Sequence, residues 1–91
     1  MRETLTPELR QLLQTMAQAH ATQAIPFIVT ADADCRIAEV VPFPIDNAFE
    51  IIHAVSGRMT AAQALTLALH PQIERIEYDG QMHALAAQAL R

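Results

Sequence analysis

Thr60-Ala61-Ala62-Gln63-Ala64-Leu65-Thr66-Leu67-Ala68-Leu69-His70-Pro71-Gln72-Ile73-Glu74-Arg75-Ile76-Glu77-Tyr78-Asp79-Gly80 decides the fold class. It opens as a capping box, in which the Thr60 hydroxyl accepts from the backbone of Gln63 and the Gln63 side chain reaches back. Residues 61–69 have high helix propensity, and Leu65, Ala68 and Leu69 share a face. Pro71 stops the helix at or before His70. Ile73 to Tyr78 then reads as a strand, closed by the strong turn pair Asp79-Gly80. Before the helix, Phe49 to Thr60 reads as another strand, with Phe49, Ile51, His53 and Val55 alternating against Glu50, Ile52, Ala54 and Ser56. Gly57 in that run marks a bulge or a close approach of backbone. A helix between two β-segments points to an α+β fold, with an antiparallel or mixed sheet covered on one face.

Earlier segments add to this frame. Residues 6–20 predict an amphipathic helix, with Thr6 as N-cap, Pro7 at the first helical position and Glu8 at the positive helix end. Leu5, Leu9, Leu12, Leu13 and Met16 form its apolar stripe, opposite Arg10, Gln11, Gln14 and Gln18. Ile25-Pro26-Phe27-Ile28-Val29-Thr30 is a β-rich run, and Pro26 suits an edge strand or a strand beginning. Ala31 to Asp34 form a turn. Cys35 to Val41 fit either a second hairpin strand or a short helix, stopped by Pro42 and Pro44. The chain thus divides into an N-terminal helix (1–22), an α+β unit (23–81) and a C-terminal tail (82–91).

Composition bounds the function. Of 91 residues, 52% are hydrophobic, but seventeen are alanine and only four are aromatic. That supports one domain with a thin core and modest stability. A single cysteine, Cys35, excludes an internal disulfide framework. A net charge of −4, with six scattered Lys and Arg, excludes an electrostatic nucleic-acid binder. No apolar run approaches the ~20 residues needed to cross a bilayer. The start, Met1-Arg2-Glu3-Thr4, leads into no signal-peptide apolar region, so a cytoplasmic setting is expected.

Chemistry-bearing patterns are sparse, and the chain does not read as an enzyme. His20, His53, His70 and His83 lack metal-site spacing and have no companion cysteine pair. Asp32-Ala33-Asp34 lacks the glycine and terminal glutamate of a calcium loop. Two distant glycines cannot build a phosphate loop, and no cofactor is expected. Ser56, His53 or His83, and Asp79 carry no triad motif. Cys35 could be a nucleophile in principle, but a lone cysteine in a small chain reads as a small apolar residue. The informative pair is Glu77 and Asp79. On a strand, residues i and i+2 share a side, about 7 Å apart. The plainer reading is a solvated strand end before a turn. The other is a pair of external caps for the N-termini of two partner helices, whose free N–H groups and dipole favour an anion.

The ordered set Phe49 to Thr60, a helix, His70-Pro71-Gln72-Ile73-Glu74-Arg75-Ile76-Glu77-Tyr78-Asp79, then Met82-His83-Ala84-Leu85, resembles the C-terminal two-thirds of subtilisin propeptides, without a gap. The resemblance implies a ferredoxin-like α+β fold, an antiparallel sheet with helices on one face, here with an additional N-terminal helix. It implies a folding chaperone and tight, temporary inhibitor of a subtilisin-like serine protease. The open sheet face would pack on two surface helices of the enzyme, and the tail would lie in the active-site cleft like a product. By position, Glu77 and Asp79 match the acidic pair that caps those helices. Met82, His83, Ala84 and Leu85 match the tail, with Leu85 in the main specificity pocket and Met82 in a more distant apolar one. The sequence departs from the pattern in three ways: the span from Thr30 to Phe49 is short for the family's first helix, the 6–20 helix is extra, and no protease follows Arg91. A chain that acts in trans is therefore expected. The competing expectation is a small assembly or dimerisation module that uses Leu9, Leu12, Leu13 and Met16 for self-contact or a partner.

Overall fold

A computed structural model describes residues 4–79. Its elements run α1 (Pro7–Ala19), β1 (Ile25–Ala31), α2 (Ile37–Val40), β2 (Asn47–Phe49), β3 (Ala54–Met59), α3 (Ala61–Leu67) and β4 (Ile73–Tyr78). The strands form one sheet in the order β2-β3-β1-β4, and every neighbouring pair is antiparallel. From β1 onward this is the βαββαβ order of a ferredoxin-like α+β fold, preceded by the additional helix α1. Pro26 does mark a strand beginning, but β1 is an interior strand and not an edge.

The capping signals resolve as read. The Thr6 hydroxyl accepts from the Leu9 N–H at 3.2 Å, with Pro7 opening α1. In α3, the Thr60 hydroxyl accepts from the Gln63 N–H at 3.2 Å, and the Gln63 side-chain oxygen accepts from the Thr60 N–H at 2.9 Å. The buried face of α3 differs from the expected one. Ala61, Ala64 and Leu67 point inward, Leu65 and Ala68 flank the core, and Leu69 lies beyond the last helical residue and is exposed.

One sheet face is apolar and covered. Along β1, Ile25, Phe27, Val29 and Ala31 are buried. They align with Met59, Gly57 and Val55 on β3, and with Tyr78, Ile76 and Ile73 on β4. Ile73 and Ile76 are three apart, which simple strand alternation would send to opposite faces. A register shift against Thr30 and Ala31 resolves this by inserting one extra residue in β4, so that both isoleucines face the core.

The ambiguous 35–41 segment is helical, but only as the single turn α2. Helix α1 lies beside α3 and contributes Leu9, Leu13 and Met16 to the same core. It thus supplies helical cover that α2 is too short to give. The segment before it borders the outer edge of β4. The Ile76 N–H donates to the Thr4 carbonyl at 3.0 Å, and the Thr4 hydroxyl donates to the Ile73 carbonyl at 3.3 Å. The stripe expected to serve for self-contact is therefore turned inward, and of its four residues only Leu12 is partly exposed. Leu13 is 0% exposed, so Leu13→Ala is expected to cost about 2–5 kcal/mol. Urea denaturation of the variant checks this, and wild-type stability would mean that α1 is not part of the core.

A second correction concerns the run from Phe49 to Thr60. It is not one strand but a hairpin, with β2 and β3 joined by a turn over residues 50–53. His53 closes that turn in the left-handed region, at φ 52°. Its carbonyl accepts from the Ala31 N–H at 3.1 Å, and its Nε2 bonds the Cys35 carbonyl at 2.9 Å. These long-range bonds hold a conformation that a non-glycine residue rarely adopts.

Candidate functional site

The sheet face opposite the helices is the candidate site. Cross-strand pairing sets its side chains in rows. Phe49, Ala54, Thr30 and Arg75 form one row, and Asn47, Ser56, Ile28 and Glu77 form the next. Arg58 and Pro26 follow, with Asp79 at the end of β4. All three helices lie against the other face, and among the described residues none crosses this one.

Glu77 stands on this face at the β4 side, directly across from Ile28. Its Oε1 accepts from Arg75 Nη1 at 3.1 Å, and both side chains are more than half exposed. Asp79 continues the ladder one residue past β4, where its N–H donates to the Pro26 carbonyl at 3.2 Å. Pro26 has no N–H to extend the ladder. Strand alternation therefore presents Glu77 and Asp79 on the same side, about 7 Å apart. Met82, His83, Ala84 and Leu85 lie outside the described residues.

The remaining chemistry-bearing residues resolve differently. Cys35 is buried at 3% exposure, and burial pushes its thiol above the ordinary value, with the Asp32 carboxylate adding to the shift. A thiol held in its neutral form is a poor nucleophile. His53 is 18 residues from Cys35 in sequence and bonds its carbonyl, not its sulfur. His70 Nδ1 accepts from the Gln72 N–H at 3.1 Å, which caps the turn after α3. Among the described residues, no group of three or more His, Cys, Asp or Glu is placed to hold a metal ion, and no helix is long and apolar enough to cross a membrane. A shallow groove of about 290 Å³ between α2 and α3 is lined by Val40, Pro42, Ala62, Gln63, Thr66 and Leu67. None of these titrates, so the groove offers no acid–base chemistry.

Two features of the site escape a reading of the sequence. One is Arg75, which reaches Glu77 because i and i+2 share a strand face. The other is the exposed turn residues Ile51 and Ile52. Two adjacent isoleucines break strict alternation, and that is the signal by which the turn could have been found.

Tyr78 stacks on Phe27, with ring centroids 5.6 Å apart. Its hydroxyl is buried without a hydrogen-bond partner, and burial pushes the phenol up to about 12. The folded value lies above the unfolded one, so folding favours the neutral phenol. Its contribution is intact below about pH 10 and falls as the pH rises towards 12. Tyr78→Phe is expected to be about 1 kcal/mol more stable at neutral pH, because a desolvated hydroxyl disappears. Thermal melts of both forms from pH 8 to 12 check this, and the gap should widen upward. A gap that closes with rising pH would contradict it.

Compared with known proteins, the chain matches no family model, no curated protein and no solved structure at a significant level.

Proposed function

We propose that this chain is a propeptide-like inhibitor and/or folding chaperone of a subtilisin-like serine protease. The observation that carries the reading is the antiparallel sheet face that none of the described helices crosses, with Glu77 and Asp79 at the end of β4. The ordered residues from Phe49 to Leu85 that resemble subtilisin propeptides support the same partner. The sheet's interior ladders are already satisfied, so docking uses the side chains of the face. The two carboxylates accept hydrogen bonds from the free N–H groups of partner helix N-termini, where the helix dipole favours negative charge. Met82, His83, Ala84 and Leu85 then enter the cleft as an extended segment, with main-chain pairing for affinity and side-chain pockets for selectivity. A chain that binds only the native enzyme also shifts the enzyme towards its folded form.

The alternative, an assembly module built on α1, loses its motivation, because Leu9, Leu13 and Met16 are buried in the chain's own core. Inhibition of a mature subtilisin-like protease by wild type and by Glu77→Ala/Asp79→Ala tests the proposal. The double variant should bind about 1–3 kcal/mol more weakly, the scale of charge-assisted hydrogen bonds. Equal inhibition would remove the capping role. A chain ending at Asp79 should lose inhibition, and retained potency would refute cleft insertion.

A further inference from the structure

The tip of the β2–β3 hairpin presents apolar side chains to solvent. Ile51 is 102% exposed, Ile52 58% and Phe49 40%. Single exposed apolar residues are ordinary, but three within four consecutive positions form a patch of the kind that marks an interaction surface. The tip is also held in place. His53 closes it at φ 52° and is bonded through Nε2 to the Cys35 carbonyl, so the chain accepts backbone strain to display these residues.

Phe49 ties the tip to the open sheet face. Phe49 lies in the same row of the open sheet face as Ala54, Thr30 and Arg75, and Glu77 stands in the adjoining row at the opposite edge. The face thus has an acidic edge at β4 and an apolar corner at β2, three strand spacings or roughly 14 Å apart. A protein seated on the face reaches both. A second copy fits poorly, since antiparallel overlap of two β2 strands about Ala48 sets Asp46 against Glu50 of the copy, and like charges directly opposite destabilise a strand pair. The same two carboxylates disfavour an anionic membrane surface.

We infer that Phe49, Ile51 and Ile52 are the apolar anchor of the docking face, and that the partner carries an apolar patch at that corner. This rests on the protease reading above and adds the chemistry of the partner's second contact. The test compares Ile51→Ser/Ile52→Ser with Glu77→Ala/Asp79→Ala in inhibition of a mature subtilisin-like protease. The tip variant should weaken inhibition about tenfold or more, as truncated interface anchors do. Its melting temperature should stay at the wild-type value, because the substituted side chains are exposed in the folded chain. Unchanged inhibition by the tip variant, with weakened inhibition by the acidic variant, overturns the anchor and leaves the docking reading intact. A wild-type chain that fails to inhibit overturns both. A wild-type dimer that the tip substitutions convert to monomer, with inhibition unaltered, assigns the tip to a second copy and overturns the anchor.

Discussion

Phe27→Ala is expected to lower the unfolding free energy by about 3–5 kcal/mol. Phe27 is 0% exposed at the centre of the covered face. Gly57 lies opposite it on β3, and Tyr78 lies opposite it on β4 and is stacked on its ring. Gly57 opposite it has no side chain with which to fill the space that the ring leaves. A chain of 91 residues typically has about 5–14 kcal/mol of stability in total, so the loss is roughly a fifth or more of it. Phe49→Ala is the internal control. That ring is 40% exposed on an edge strand, and the substitution should change stability by under about 0.5 kcal/mol, as surface changes usually do. Urea titrations followed by circular dichroism measure both. Similar losses for the two variants would contradict the assignment of Phe27 to the core and Phe49 to the surface.

Gly57→Ala is expected to cost about 2–3 kcal/mol, the upper part of the range for overpacking. In an ordinary strand, alanine in place of glycine is favourable, since glycine gives up more chain entropy on folding. Here a Cβ would collide with the Phe43 ring and come within 2.9 Å of the Pro44 carbonyl oxygen. Gly57 is therefore a site of close approach, over which the loop between α2 and β2 folds to bury Phe43. At about 4–8 °C per kcal/mol for a domain of this size, the melting temperature should fall by roughly 10–20 °C. In a Phe43→Ala background, the same glycine substitution should cost less, with a coupling of about 1–2 kcal/mol. The Pro44 carbonyl stays close, so relief is partial. A variant as stable as wild type would mean that the loop does not sit on Gly57.

These two residues also show what a local reading of the chain reaches. The caps at Thr6 and Thr60, the strands from Ile25 and Ile73, and the stop at Pro71 are short-range chemistry, and each resolves in place. Gly57 was legible as either a bulge or a close approach, and Phe43 decides between them. The hairpin was not legible, because Phe49, Ile51, His53 and Val55 carry period-two alternation straight through the turn. No glycine marks its left-handed position. His53 takes it instead, held by bonds to Cys35 and Ala31, contacts that sequence neighbours do not announce. The leucine stripe of α1 was legible as apolar but not its destination, since the shortness of α2 becomes apparent only when the sheet is assembled. The spacing of Glu77 and Asp79 was legible at the site, whereas the row that links Arg75 to Phe49 depends on strand order.

Docking of the open sheet face is tested most directly by methyl NMR of isoleucine-labelled chain. The titrant is a mature subtilisin-like protease with its catalytic serine replaced by alanine, which keeps the cleft intact and spares the chain from cleavage. Ile28 lies on the open face, whereas Ile25, Ile73 and Ile76 are buried beneath the helices. The expected result is a saturable shift of the Ile28 methyl, with the three core methyls little changed. An unchanged spectrum at excess protease, or shifts confined to residues on the helical face, would contradict the proposed docking.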